Sequence, residues 1–224
     1  MKIIVKLSLL TIFAVCLYAQ TYAQNRLSES HQEFVQRRAA QKTAQMNNYI
    51  AYMVDEGYPM SVREEYMQSA KDLFVGRAET YYEEGYSRIA NMQVTSISRP
   101  TPKTYPVKTY FKSLLGLIKK GVYDCAKINT TDIQDMQVSS LRHLYDNVYE
   151  CTVSYVQVFH GYKDGRAIYG PDRTKKNIKC IVYFISDQEG GYELAVYLSD
   201  CHATETKKID WSLVEDNNIL IPDR

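Results

Sequence analysis

Little in this chain is lopsided. Basic residues number 27 and acidic residues 26, a net charge of +1, so there is no strong field to draw nucleic acid or an anionic membrane surface. Beyond the opening segment no apolar run is long enough to span a bilayer. The 5 cysteines form no CxxC pair, which argues against a zinc ribbon or a redox dithiol of that type. No G-x-S-x-G, H-E-x-x-H or calcium-loop spacing occurs, and no metal or cofactor site is expected. There is no internal repeat and no low-complexity tract.

What is present begins with MKIIVKLSLLTIFAVCLYAQTYAQ. Two lysines, an apolar run of about ten residues and small residues at Thr21 and Ala23 make the layout of a secretory signal, with cleavage expected after Ala23. Lipidation at Cys16 is disfavoured, because Val15 stands where a small residue is required. Removing residues 1–23 takes away Lys2 and Lys6 and leaves 25 basic residues against 26 acidic ones, a net charge of −1. The mature chain is therefore expected outside the cytoplasm, periplasmic or secreted, with no transmembrane segment.

From Ser28 to Met53 apolar residues recur at helical spacing with no Pro or Gly, which predicts a long helix. DEGYPM breaks it. Ser61 and Glu64 then form a capping-box pattern, and a stripe from Val62 to Tyr81 predicts a second long helix stopped at Gly85. These make a helical hairpin over residues 24–88. NMQVTSIS reads as a short strand ended by RPTPKTYP, VKTYFKSLLGLIKK as a third helix, and four strand patterns follow. They make an α+β domain over 89–206, with a tail at 207–224 carrying the only tryptophan, Trp211.

Asp164-Gly165 suits a two-residue type I′ turn, followed by a kink at Gly170-Pro171. The run FHGYKDGRAIYGPDRTKK is thus a hairpin, and its lysines and arginines are expected at a solvated tip. A phosphate loop would need a helix to follow. If Gly190-Gly191 closes the next hairpin, Cys180 faces Cys201, with Cys151 near Cys180 on the same face. The expected disulfides are Cys180–Cys201 and Cys125–Cys151, with buried free thiols the alternative. In this register Val153, Tyr155, Phe159, Val182, Phe184, Ala195 and Tyr197 share one face. Val156, Val158, Ile181, Tyr183, Ile185, Leu194, Val196 and Leu198 share the other. Both faces are then apolar, and a further body must cover the second.

Catalytic signals are few. Among the histidines only His160 sits well inside a strand pattern, where a half-exposed structural role is the simpler reading. Asp132 and Asp135 fall in a turn context. His202 follows Cys201 and so points to the opposite face of a strand. Tyr155, Phe159, Phe184 and Tyr197 are the candidate ligand- or partner-binding residues, with no catalytic residue among them.

The element order, with YPVKTYFKSLLGL ending in a helix and a long meander containing VQVFHGYKDGRAIYGPDRTKK, resembles the NTF2-like (cystatin-like) superfamily, in particular exported bacterial members. The resemblance covers roughly Asn91 to Thr206. It implies a curved antiparallel sheet wrapped on helices into a cone, commonly dimerising through the sheet. Superfamily members include isomerases and dehydratases as well as non-catalytic binding modules. The early β-hairpin of that fold is reduced here to the single NMQVTSIS strand. The expected function is an exported, non-enzymatic binding or assembly module acting through an apolar sheet face, toward a protein partner or a second copy. The alternative is a small-molecule binding protein, or an isomerase or hydrolase, using the cone interior.

Overall fold

Alanine-rich sequence free of Gly and Pro gives the first helix, α1 (Glu29–Met53). The structure, a computed structural model, describes residues 27–121, 124–186 and 192–210. The expected signal segment, Cys16, the Gly190-Gly191 turn and Trp211 lie outside the described residues. Residues 1–34 and Val35–Arg224 form two units. In the first, Ser28 Oγ accepts the His31 N–H at 3.3 Å at the start of α1. In the second, α1 buries Val35, Ala39, Met46, Ile50 and Met53. Its buried polar groups donate within the helix: Thr43 Oγ1 donates to the Ala39 carbonyl and Asn47 Nδ2 to that of Thr43, each at 2.9 Å.

The second helix, α2 (Met60–Asp72), starts behind Pro59, and no side-chain cap bond forms at its N-terminus, so the Ser61–Glu64 box is not used. It also ends well before Gly85. The chain is captured by the sheet: the Leu198 N–H donates to the Leu73 carbonyl at 2.9 Å and Phe74 bridges Leu198. Phe74 is fully buried edge-on to Phe111, with centroids 5.9 Å apart. A 3₁₀ turn (Val75–Ala78) follows. Then YYEEGYSR forms a hairpin of β1 (Tyr81–Glu83) and β2 (Tyr86–Arg88). Glu84 and Gly85 both have positive φ, as a type I′ turn requires. Gly85 is a hairpin turn, and the expected long helical hairpin is a long helix followed by a short one.

RPTPKTYP, expected as a terminator, is a strand. β4 (Arg99–Pro106) pairs antiparallel with β3 (Asn91–Ser96) and lies at the sheet edge, where prolines need no partner for the missing N–H. The early hairpin is therefore present. α3 (Val107–Lys119) matches the expected third helix. After it come β5 (Cys125–Thr130), a 3₁₀ turn holding Asp135 beside Asp132, β6 (Gln137–Val138), β7 (Arg142–Tyr145), β8 (Val148–Lys163), β9 (Arg166–Ser186) and β10 (Tyr192–Lys208). The sheet has eight strands in the order β4-β3-β10-β9-β8-β5, with β6 and β7 also pairing to β8. It is mixed, because β10 meets β3 in parallel at Cys201 and Met92. The class is α+β. Among the described residues no helix is long and apolar enough to cross a membrane.

Two registers decide which side chains meet. Around Asp164-Gly165 the β8–β9 pairing follows expectation, with Lys163 opposite Arg166 and, past the shift near Gly170, Cys151 opposite Cys180. The β9–β10 pairing does not. Ser186 faces Tyr192, so residues 187–191 intervene rather than two glycines. That odd slip reverses parity: Leu194, Val196 and Leu198 face Phe184, Val182 and Cys180, whereas Ala195 and Tyr197 join Tyr183 and Ile181 on the other face. A bulge between Leu198 and Cys201 restores parity, placing Cys201 opposite Ile178.

The inner face, packed on the helices, is apolar around Cys151, Ile178, Cys180, Val182 and Val196 and carries Gln157, Asp172, Thr174 and Lys176 toward the Gly170 kink. The outer face is not uniformly apolar, because Glu150, Thr152, Ser154, Lys175, Asn177 and Lys179 run along its centre. The expectation of two apolar faces is corrected on this point. The thiols are corrected too: Cys125, Cys151, Cys180 and Cys201 are all free, and Cys180 faces Cys151 and Leu198 rather than Cys201.

Candidate binding pocket

Between α3 and the inner face of β3, β8 and β9 lies a pocket of about 420 Å³. Tyr110, Leu114 and Leu117 line it from α3, one helical stripe at three- and four-residue spacing. Phe159 lines it from β8 and Tyr105 from β4. The polar groups come from alternate residues of β9: Asp172, Thr174 and Lys176, with Gln157 beside them on β8. The kink at Gly170 brings Tyr169 round to join them. Gly170 has φ +84°, and a Cβ there would stand 2.4 Å from the Phe159 carbonyl oxygen, so only glycine lets the strands approach this closely.

Asp172, 7% exposed, is held by the Tyr169 hydroxyl at 2.7 Å and the Ile97 N–H at 3.2 Å. Gln157 Nε2 donates to Asn47 Oδ1 at 2.8 Å, tying the pocket to α1. Thr174 Oγ1 lies 3.1 Å from Thr206 Oγ1.

Lys176 is different. It is 5% exposed, and among the described residues no carboxylate forms an ion pair with it. Burial, the larger cause, pushes its amine below the usual lysine range, against an opposing pull from Cys201. The acids around it do not supply a counter-charge. Burial raises the Tyr110 and Tyr155 phenols, the nearby Cys201 adding to both shifts, and burial likewise raises the Cys201 thiol. All three keep their protons at neutral pH. Asp172 sits four residues along the strand, about 13 Å away.

The expected binding residues are only partly brought together. Phe159 lines the pocket, its ring 5.8 Å from Tyr169. Tyr155 is buried, opposite Lys176 in the register, with its Oη 3.8 Å from Cys201 Sγ. Phe184 shares their face but lies toward the far end of β9, packed 5.1 Å from Tyr149. By register Tyr197 pairs with Ile181, and its ring is 6.1 Å from Tyr183. His160 is buried rather than half-exposed, and desolvation, helped by Lys127, lowers it to about 4. It does not line the pocket.

Lys176, Asp172 and Tyr169 are the residues that sequence reasoning missed, since their basic stretch looked like a hairpin tip. Strand parity carried the signal: Thr174, Lys176, Ile178 and Cys180 alternate on one face. Once Cys180 is taken to face the helices, Lys176 faces them as well.

No protein-family model and no curated protein sequence matches this chain. One solved structure similar to it is a "Putative Scytalone Dehydratase" from Novosphingobium aromaticivorans. The two share 12% identity over 81% of this chain and 92% of the other, with a TM-score of 0.36.

Proposed function

We propose that this chain is an exported, NTF2-like binding protein that takes up a small amphipathic molecule between α3 and the inner face of the sheet. The single observation that carries the reading is the pocket itself: about 420 Å³, within the range of small-molecule sites, with apolar walls and a few convergent polar groups. A helix laid against a long antiparallel meander, with a cavity between them, supports the NTF2-like reading. The signal-like N-terminus supports export. Assembly through a flat apolar sheet face is less favoured, because Lys175, Asn177 and Lys179 occupy the centre of that face.

Titration with Nile red, a neutral amphipathic fluorophore, tests the pocket. Wild-type protein is expected to bind it saturably, one molecule per chain. Leu117→Trp, which fills the cavity from its half-buried wall, should abolish binding while leaving the thermal melt intact. Equal binding by wild type and variant, or no saturable binding at all, would overturn the reading.

A further inference from the structure

Resting on the reading of this cavity as a small-molecule site, we propose that its ligand is an organic acid whose carboxylate pairs with the Lys176 ammonium and whose apolar body lies between Leu114, Leu117 and Phe159. Lys176 is a lysine side chain only 5% exposed that lines the pocket without an ionic partner among the described residues. A buried ammonium is retained only when something compensates its lost hydration. Among the described residues no anionic group supplies that compensation. The neighbouring hydroxyl and thiol groups, Tyr110, Tyr155 and Cys201, stay protonated.

Among the described residues the one carboxylate in the lining, Asp172, is already engaged by Tyr169 and the Ile97 amide, and it lies at the other end of the polar row. The charge layout is therefore asymmetric. An acid group fits beside Lys176, whereas the end near Asp172 repels a second anion. That favours a monoacid over a diacid. The hydroxyl of Thr174, one residue pair along the same face, is placed to donate to the bound carboxylate's second oxygen or to a substituent next to it.

Matched acids and alcohols test this. Calorimetric titration of wild type, Lys176→Met and Leu117→Trp would use decanoate with decanol and phenylbutanoate with phenylbutanol. At least one acid is expected to bind wild type about ten- to a hundredfold more tightly than its alcohol, the range for a charge-assisted bond in a desolvated site. Lys176→Met should erase that preference while still binding the alcohol, which separates loss of the anchor from loss of the fold. Leu117→Trp should exclude both members of each pair. The inference fails if acid and alcohol bind wild type equally, or if Lys176→Met leaves the preference intact. It fails as well if Nile red binds but neither acid displaces it, in which case the pocket reading survives. Absence of Nile red binding sinks the pocket reading itself.

Discussion

Replacing Lys176 by Met should make this protein more stable, which is an unusual expectation for a buried residue. The stem of the two side chains is similar in length, so the packing among Tyr155, Gln157 and Ala203 is largely preserved. What is removed is an ammonium with no ionic partner, so no group of the described residues is orphaned by its loss. Replacing a buried ion pair by well-packed apolar groups is neutral or stabilises by about 1 to 4 kcal/mol in known cases, and an ammonium without an ionic partner has no Coulombic attraction to lose. Taking ~1 to 3 kcal/mol, the melting temperature of a chain this size should rise by roughly 3 to 10 °C. The effect has a defined pH dependence. The folded amine titrates below the unfolded value of 10.5. As pH falls, the unfolded chain takes up its proton first, and the penalty grows until the folded amine is protonated as well. The advantage of Lys176→Met should therefore be larger at about pH 7 than near pH 10. Thermal melts followed by circular dichroism at the two pH values measure this. A variant that melts at or below wild type near pH 7, or an advantage that does not shrink toward alkaline pH, would refute the reasoning.

Gly170→Ala should destabilise by about 2 to 4 kcal/mol, since it combines a left-handed backbone with a Cβ 2.4 Å from the Phe159 carbonyl oxygen; urea unfolding reads the shift, and a change under about 0.5 kcal/mol would contradict it. With all four thiols free, an aromatic disulfide reagent should label half-exposed Cys125 first, and the buried Cys151, Cys180 and Cys201 only on unfolding. Failure of two of those three to react in denatured, unreduced protein would mean that they are joined in a disulfide.

Element type was legible wherever periodicity ran long. The stripe of α1 from Val35 to Met53, the apolar seam of α3 and the strand patterns of β8 to β10 each announce themselves. The Asp164-Gly165 turn also fixed its register, because two residues of positive φ leave one geometry. Legibility failed where a tertiary contact overrode a local pattern. The stripe past Asp72 looked helical, yet Phe74 is worth more buried against Phe111 and joined to Leu198 than as another helical residue. Prolines in β4 looked like terminators because edge position is not written locally. Five residues, rather than two, lie between Ser186 and Tyr192, which reversed the parity of β10 and set Tyr197 beside Ile181. The lysine run hid a buried member because alternation was not followed back from Cys180 to Lys176.

The irregularity between Leu198 and Cys201 acts as a phase shift within one strand. Ahead of it the even-numbered residues of β10 point to the helices; at Cys201 and Ala203 the odd-numbered ones do. Asp200 sits inside this shift and accepts the Asn91 N–H at 2.8 Å, so it also moors the start of β3. A gain or loss of one residue there would leave the hairpin end of β10 undisturbed while turning Cys201 and Ala203 inside out beneath Lys176. Variation in length at that spot is thus a route by which related chains could change the side chains that neighbour Lys176 without altering their framework.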